Sequence, residues 1–144
     1  MRYYAVIDTN VLVSAMLKWQ SVPGSIMEFT MSGVIVPVLN REIVDEYRNV
    51  LLRPKFGLTS DIIKDIIDSL ENAGFYIDRD PIDIDLPDPK DRIFYEIVMK
   101  ERNENDAYLV TGNIKHFPNE PFIVTPRKML DIILSDLNAS DENE

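Results

Sequence analysis

The chain has no cysteine and only one histidine among its 144 residues. The first absence removes disulfides, thiolate zinc sites and cysteine nucleophiles together. The second excludes a pair of histidines sharing acid–base chemistry on a ribose hydroxyl. No apolar run approaches the ~20 residues needed to cross a bilayer, so no membrane span is expected. The opening Met1-Arg2-Tyr3-Tyr4 passes straight into a strand-like run without the layout of a signal peptide, and a cytoplasmic location is expected. Basic residues are few as well. Fifteen Lys and Arg stand against 25 Asp and Glu, for a net charge of −10. That balance argues against a protein that coats nucleic acid by bulk attraction. Four of the acids (Asp136, Asp141, Glu142 and Glu144) fall in the last nine residues, and the remainder of the chain carries −6. Any polyanion site must therefore be a local basic patch.

What is present is an ordinary globular composition, 45% hydrophobic and 28% charged, with enough residues for one domain and its core. Residues 1–137 read as a single domain. The segment from Asp136 is expected to fray, and residues 138–144 to form an acidic, disordered tail. Tyr3 to Ile7 is a short apolar run of the kind buried on both sheet faces. Thr9 or Asn10 can cap a helix over Val11 to Leu17, and Gly33 stops a second helix from about Gly24 to Met31. Val34 to Val38 is a second strand. Asn40 caps a helix to about Leu52, with Ile43, Val44, Tyr47, Val50 and Leu51 on one stripe. A further helix spans Asp61 to Ala73. Short strands follow at Phe75 to Ile77, Tyr108 to Thr111 and Phe122 to Val124. Ile82 to Leu86 alternates with acids like an edge strand, Asp88-Pro89 opens another helix, and Pro126 begins a last one through Leu134. Strands alternating with helices point to an α/β fold with a mainly parallel sheet. Ligands in such folds bind beyond the carboxyl ends of the strands, which draws attention to polar residues placed just after strands.

Asp8 directly follows the first strand. It reads equally as a metal ligand at the sheet edge or as a helix cap. Asp91 is more telling, because helical spacing puts it about 60° from Phe94, with Val98 at about 40°. A carboxylate on that buried stripe is not a solvated-face residue. Its bland alternative is a capping-box partner reaching back to Asp88. Glu46 lies at about 300° from Ile43, on the border of the apolar arc, and pattern alone favours an ordinary amphipathic flank. Arg53, at about 280°, shares that flank. Asn113 and His116 stand on the loop after the Tyr108 strand. Asp78, Asp80, Asp83 and Asp85 read as the wet face of an edge strand rather than as a second cation site.

Taken in order, several segments resemble a PIN-domain nuclease, in the branch of toxin components of bacterial and archaeal toxin–antitoxin pairs. They are Ile7-Asp8-Thr9-Asn10-Val11, Glu46-Tyr47-Arg48 running into Leu52-Arg53-Pro54-Lys55-Phe56, and Asp88-Pro89-Lys90-Asp91. Leu109-Val110-Thr111-Gly112-Asn113-Ile114-Lys115-His116-Phe117-Pro118 and the closing Ile123-Val124-Thr125-Pro126 complete the set. The resemblance covers about residues 2 to 134 and rests on the ordered set, since no single motif is specific. It implies a three-layer α/β/α sandwich with Asp8, Glu46 and Asp91 gathered in one cleft. Asn113 takes a fourth position that is commonly Asp, and it brings no charge. The resemblance also implies an antitoxin partner and a homodimer.

Two unit charges ~5 Å apart repel by roughly 3 kcal/mol at an effective dielectric of 20, so convergent carboxylates bind protons or recruit a cation. Oxygen donors suit Mg²⁺ or Mn²⁺. Asp8 and Asp91 are expected to ligate the metal, Asn113 to complete or orient the shell, and Glu46 to bind a second ion or orient the attacking water. In-line attack on RNA would leave a 5′-phosphate and a 3′-hydroxyl. Arg53, Lys55 and Lys115, with His116 behind them, are candidates for holding the substrate backbone. Two alternatives stay open. One is a catalytically weak or inactive module of the same fold that binds a protein or nucleic-acid partner. The other is a Mg²⁺-dependent phosphohydrolase with Asp8 as nucleophile, although Asn10 stands where such enzymes often carry a second Asp.

Overall fold

The computed structural model describes residues 2–142. Five strands, β1 (Tyr3–Ile7), β2 (Ile35–Leu39), β3 (Phe75–Tyr76), β4 (Tyr108–Val110) and β5 (Ile123–Val124), form one sheet in the order β3-β2-β1-β4-β5. Every neighbouring pair is parallel. Parallel strands need crossovers, and five helices lie in them: α1 (Thr9–Leu17) and α2 (Val22–Met31) after β1, α3 (Arg41–Leu51) and α4 (Ser60–Ala73) after β2, and α5 (Arg92–Glu101) after β3, while α6 (Pro126–Glu142) follows β5. All five residues of β2 are buried. Successive side chains point to opposite faces, so both faces of the sheet are covered and the architecture has three layers. The expected α/β sandwich is the observed one. No helix is long and apolar enough to cross a membrane among the described residues.

Local chemistry accounts for most element boundaries. The Asn40 side chain accepts from the Glu42 N–H at 2.9 Å and starts α3. Gly33 follows α2 at φ 87°, a left-handed conformation that glycine adopts without Cβ strain. The Ile63, Ile66, Ile67 and Leu70 face of α4 is buried in the core beneath the sheet.

Beyond shifts of one or two residues at several element ends, four features differ from expectation. Helix α1 begins at Thr9, so Asp8 itself occupies the capping position. Pro89–Asp91 is a separate 3-10 turn, and α5 starts only at Arg92. Ile82 to Leu86 joins no ladder. The alternation is there, with Ile82, Ile84 and Leu86 half-buried and the acids exposed, but among the described residues no strand pairs with it. Side chains of α5 take up its backbone groups instead: Glu96 accepts from the Ile82 N–H, and Arg92 donates to the Ile84 carbonyl. Residues 77–88 are thus a strap over α5. Helix α6 continues past Leu134 to Glu142, so the segment expected to fray from Asp136 is helical that far, and Asn143 and Glu144 lie outside the described residues.

Candidate functional site

The strand order reverses between β1 and β4, and the polar residues that follow those two strands meet there. Asp8 follows β1 and Thr111 follows β4. The Thr111 hydroxyl donates to Asp8 Oδ2 at 2.7 Å, and the Asn10 amide donates to the same oxygen at 3.1 Å. Asp8 caps α1 by position only, because its side chain makes no capping hydrogen bond. It is 5% exposed. Burial pushes its pKa up to about 6 against the pull of the Thr111 hydrogen bond, and the charges of Asp91 and Glu46 push the same way as burial.

Glu46 reaches this point because α3 is anchored beside it. Tyr47 is buried, and its hydroxyl donates to the Ile7 carbonyl at the end of β1. Burial in the first place, then the charges of Asp8 and Glu46, hold that phenol well above its usual range. One residue earlier in α3, Glu46 is half-buried and accepts from the Thr9 hydroxyl at 2.5 Å.

Asp91 comes from the third segment. Asp88 accepts from the Lys90 N–H and shapes the 3-10 turn, while the Asp91 side chain makes no capping bond. Asp91 Oδ2 instead stands 3.1 Å from His116 Nδ1. Burial raises the Asp91 pKa, His116 lowers it, and Asp88 raises it. Neither bland alternative, the cap for Asp8 nor the capping box for Asp91, describes what these carboxylates do.

Asp8, Glu46 and Asp91 line one cleft of about 400 Å³ together with Asp88, Lys90 and Arg53. Arg53 makes no ion pair among the described residues, so the pairing with Glu46 allowed by their shared flank is not formed. Lys55 lies over its neighbour Phe56, with Nζ 5.1 Å from the ring centroid, and does not line the cleft. Lys115 and Asn113 are exposed on the loop after β4 and also lie outside the lining. The Asn113 backbone N–H donates to the Thr111 hydroxyl. Thr9, Asn10, Lys90 and Thr111 escaped the sequence reading as site residues. For Thr111 a signal existed, since it is a polar residue immediately after a strand, as Asp8 is. For Thr9 and Asn10 the same residue types also read as helix caps.

A larger concavity, about 710 Å³, lies along another side of α3 and includes Arg41, Arg48 and Arg79. Two of these cations are already matched by acids, Arg48 by Asp45 and Arg79 by Glu42 and Glu96. Size favours that concavity, but charge favours the smaller cleft. There three carboxylates converge, and no lysine or arginine pairs with any of them among the described residues.

That donor set fits a hard divalent cation: oxygen ligands only, more acids than bases in the lining, and no lysine or arginine ion-paired with the three acids among the described residues. The fit is one of chemistry. No three acidic or histidine side chains stand at ion-sharing distance as the structure has them, among the described residues. Each carboxylate is engaged by Thr9, by Thr111 and Asn10, or by His116.

A family model described as PIN domain matches residues 4–115. No curated protein and no solved structure matches the chain. A match over most of the chain shows the family: the chain belongs to the PIN-domain family, whose fold is of the nuclease type.

Proposed function

We propose, with that membership as the premise, that the chain is a divalent-metal-dependent endoribonuclease and the toxin half of a toxin–antitoxin pair. The observation that carries the reading is the cleft at the strand-order reversal, where Asp8, Glu46 and Asp91 from three separate segments meet without a lysine or arginine partner. Asp8 and Asp91 would hold Mg²⁺ or Mn²⁺. A bound ion supplies charge neutralisation at the phosphate and a water of lowered pKa.

The protein's own groups do the rest. Glu46, fixed by the Thr9 hydroxyl, is placed to orient the attacking water. Arg53 and Lys90 at the cleft hold substrate phosphates. Lys55 and Lys115 lie outside the lining, and we assign them only to flanking backbone. Asn113 is exposed outside the cleft, so we assign the carboxylates without it. In-line attack on phosphorus breaks the P–O3′ bond and leaves a 5′-phosphate and a 3′-hydroxyl. In this reading the protein works in the cytoplasm as a homodimer under the control of an antitoxin.

Incubation with single-stranded RNA and DNA, with and without Mn²⁺, tests the reading. RNA cleavage should require the ion and disappear in Asp8→Asn and Asp91→Asn, with the far-ultraviolet circular dichroism unchanged. Cleavage that survives both substitutions in a pure preparation overturns it. The displaced Asn113 and the separation of the acids favour one second reading, a binding module without catalysis. Such a module would show no stabilisation on magnesium titration.

A further inference from the structure

The loop after β4 touches two of the three acids from one short segment. Thr111 donates to Asp8, and five residues later His116 meets Asp91. The backbone between them is tied down at three points. The Gly112 N–H donates to Asn10 Oδ1 at 3.0 Å, the Asn113 N–H to the Thr111 hydroxyl at 3.0 Å, and the His116 N–H to the Asn113 carbonyl at 2.9 Å. The approach is close, since a Cβ on Gly112 would lie 3.2 Å from Asn10 Oδ1. Asn10 in turn donates to Asp8. The loop therefore runs from one acid to the other with little slack.

At its far end, Asp91 has a side chain 15% exposed, and His116 is its one side-chain hydrogen-bond partner among the described residues. A hydrogen bond to a carboxylate requires the proton on Nδ1. That nitrogen is committed to Asp91, which leaves only Nε2 for the phosphate contact expected of His116. The segment's Asn113 is exposed outside the cleft lining, so what the loop brings to the acids is the pair of contacts from Thr111 and His116.

We infer that His116 is a positioning residue, fixing the Asp91 carboxylate in the orientation in which Asp8 and Asp91 share one divalent ion. This rests on the metal-dependent reading above. An unbuttressed aspartate on a turn samples several rotamers, and only some of them direct an oxygen at the ion. Partners that orient metal-ligating groups commonly govern affinity by about 10–100-fold.

The test is Mn²⁺ binding to the full chain, followed by electron paramagnetic resonance of the free ion and needing no substrate. His116→Ala should weaken Mn²⁺ binding by about 10–100-fold. His116→Gln, which keeps an N–H donor, should recover most of the loss. In cleavage assays the alanine variant should need more Mn²⁺ for half-maximal rate, with KM for RNA unchanged at saturating ion. An alanine variant that binds Mn²⁺ as wild type does, or a raised KM with normal Mn²⁺ affinity, overturns the positioning role alone. A wild-type chain that binds no Mn²⁺ overturns the metal-dependent reading and this inference with it. A separate contact readout covers poor folding of the alanine variant. The His116 ring nitrogen resonances of the metal-free wild type should move in Asp91→Asn, and resonances that stay in place overturn the contact.

Discussion

Asp8 has given up nearly all of its water in exchange for two neutral donors, Thr111 and Asn10, and it faces two other carboxylates. Its raised pKa is a statement about stability. The folded chain keeps the proton up to about pH 6, whereas the unfolded chain releases it near the ordinary value of 3.8. Between these limits the folded state binds more protons, so stability falls as pH rises through that window and stays low above it. The metal-free Asp8→Asn chain should therefore be more stable than wild type at pH 7, by about 2–3 kcal/mol, and the two should converge near pH 4. Urea unfolding at the two pH values measures this, and a variant less stable than wild type at pH 7 would contradict it. Thr111→Val keeps the shape but withdraws a donor from the buried carboxylate. It should cost about 1–3 kcal/mol at pH 7, and less at pH 4 where Asp8 carries its own proton.

Two elements set where the acids stand. Helix α3 is pinned by Tyr47, whose hydroxyl satisfies the Ile7 carbonyl at the end of β1. Tyr47→Phe withdraws that buried hydrogen bond, and a loss of about 1–3 kcal/mol is expected in denaturant unfolding, along with slower RNA cleavage at unchanged Mn²⁺ affinity as Glu46 loses its anchor. The strap of residues 77–88 is held by Glu96, fully buried on α5, which accepts from Arg79 at 2.5 Å and from the Ile82 N–H at 3.3 Å. Arg79→Ala strands that carboxylate without its cation. A cost of about 3 kcal/mol is expected, with faster amide exchange confined to the strap that leads into Asp88 and Asp91. Unchanged exchange in the strap would show that Glu96 does not hold it. The alternation of Ile82, Ile84 and Leu86 reads as a strand for a definite reason. Period-two burial needs only a surface to lie on, and here the surface is a helix and not another strand.

For the whole molecule, converging acids raise the free energy of the metal-free fold, and a bound ion relieves it. Mn²⁺ at about 100 times its Kd should stabilise the wild-type chain by about 2.7 kcal/mol, seen as a higher Tm, and should leave Asp8→Asn unmoved. With a net charge of −10 the chain attracts polyanions only locally. RNA affinity should therefore fall with salt at the slope of a few phosphate contacts, those of Arg53 and Lys90.

Apart from the strand read at Ile82 to Leu86, periodicity and punctuation alone determined the order of strands and helices, the parallel sheet and the position of Asp8 and Thr111 after their strands, because burial on both faces and capping chemistry are written locally. The Asp8 and Asp91 alternatives, cap or cleft, were undecidable from sequence, since the same carboxylate suits both. Family likeness grouped Glu46 with Asp8 and Asp91, whose cleft it lines, as its border position on α3 carries no signal of its own. Only the tertiary structure decided which donors hold each acid, that Asn113 stands outside the cleft, and that His116 turns to Asp91. Those facts depend on segments as many as 103 residues apart being brought within hydrogen-bonding distance, and a contact across that span leaves no periodic trace in the chain.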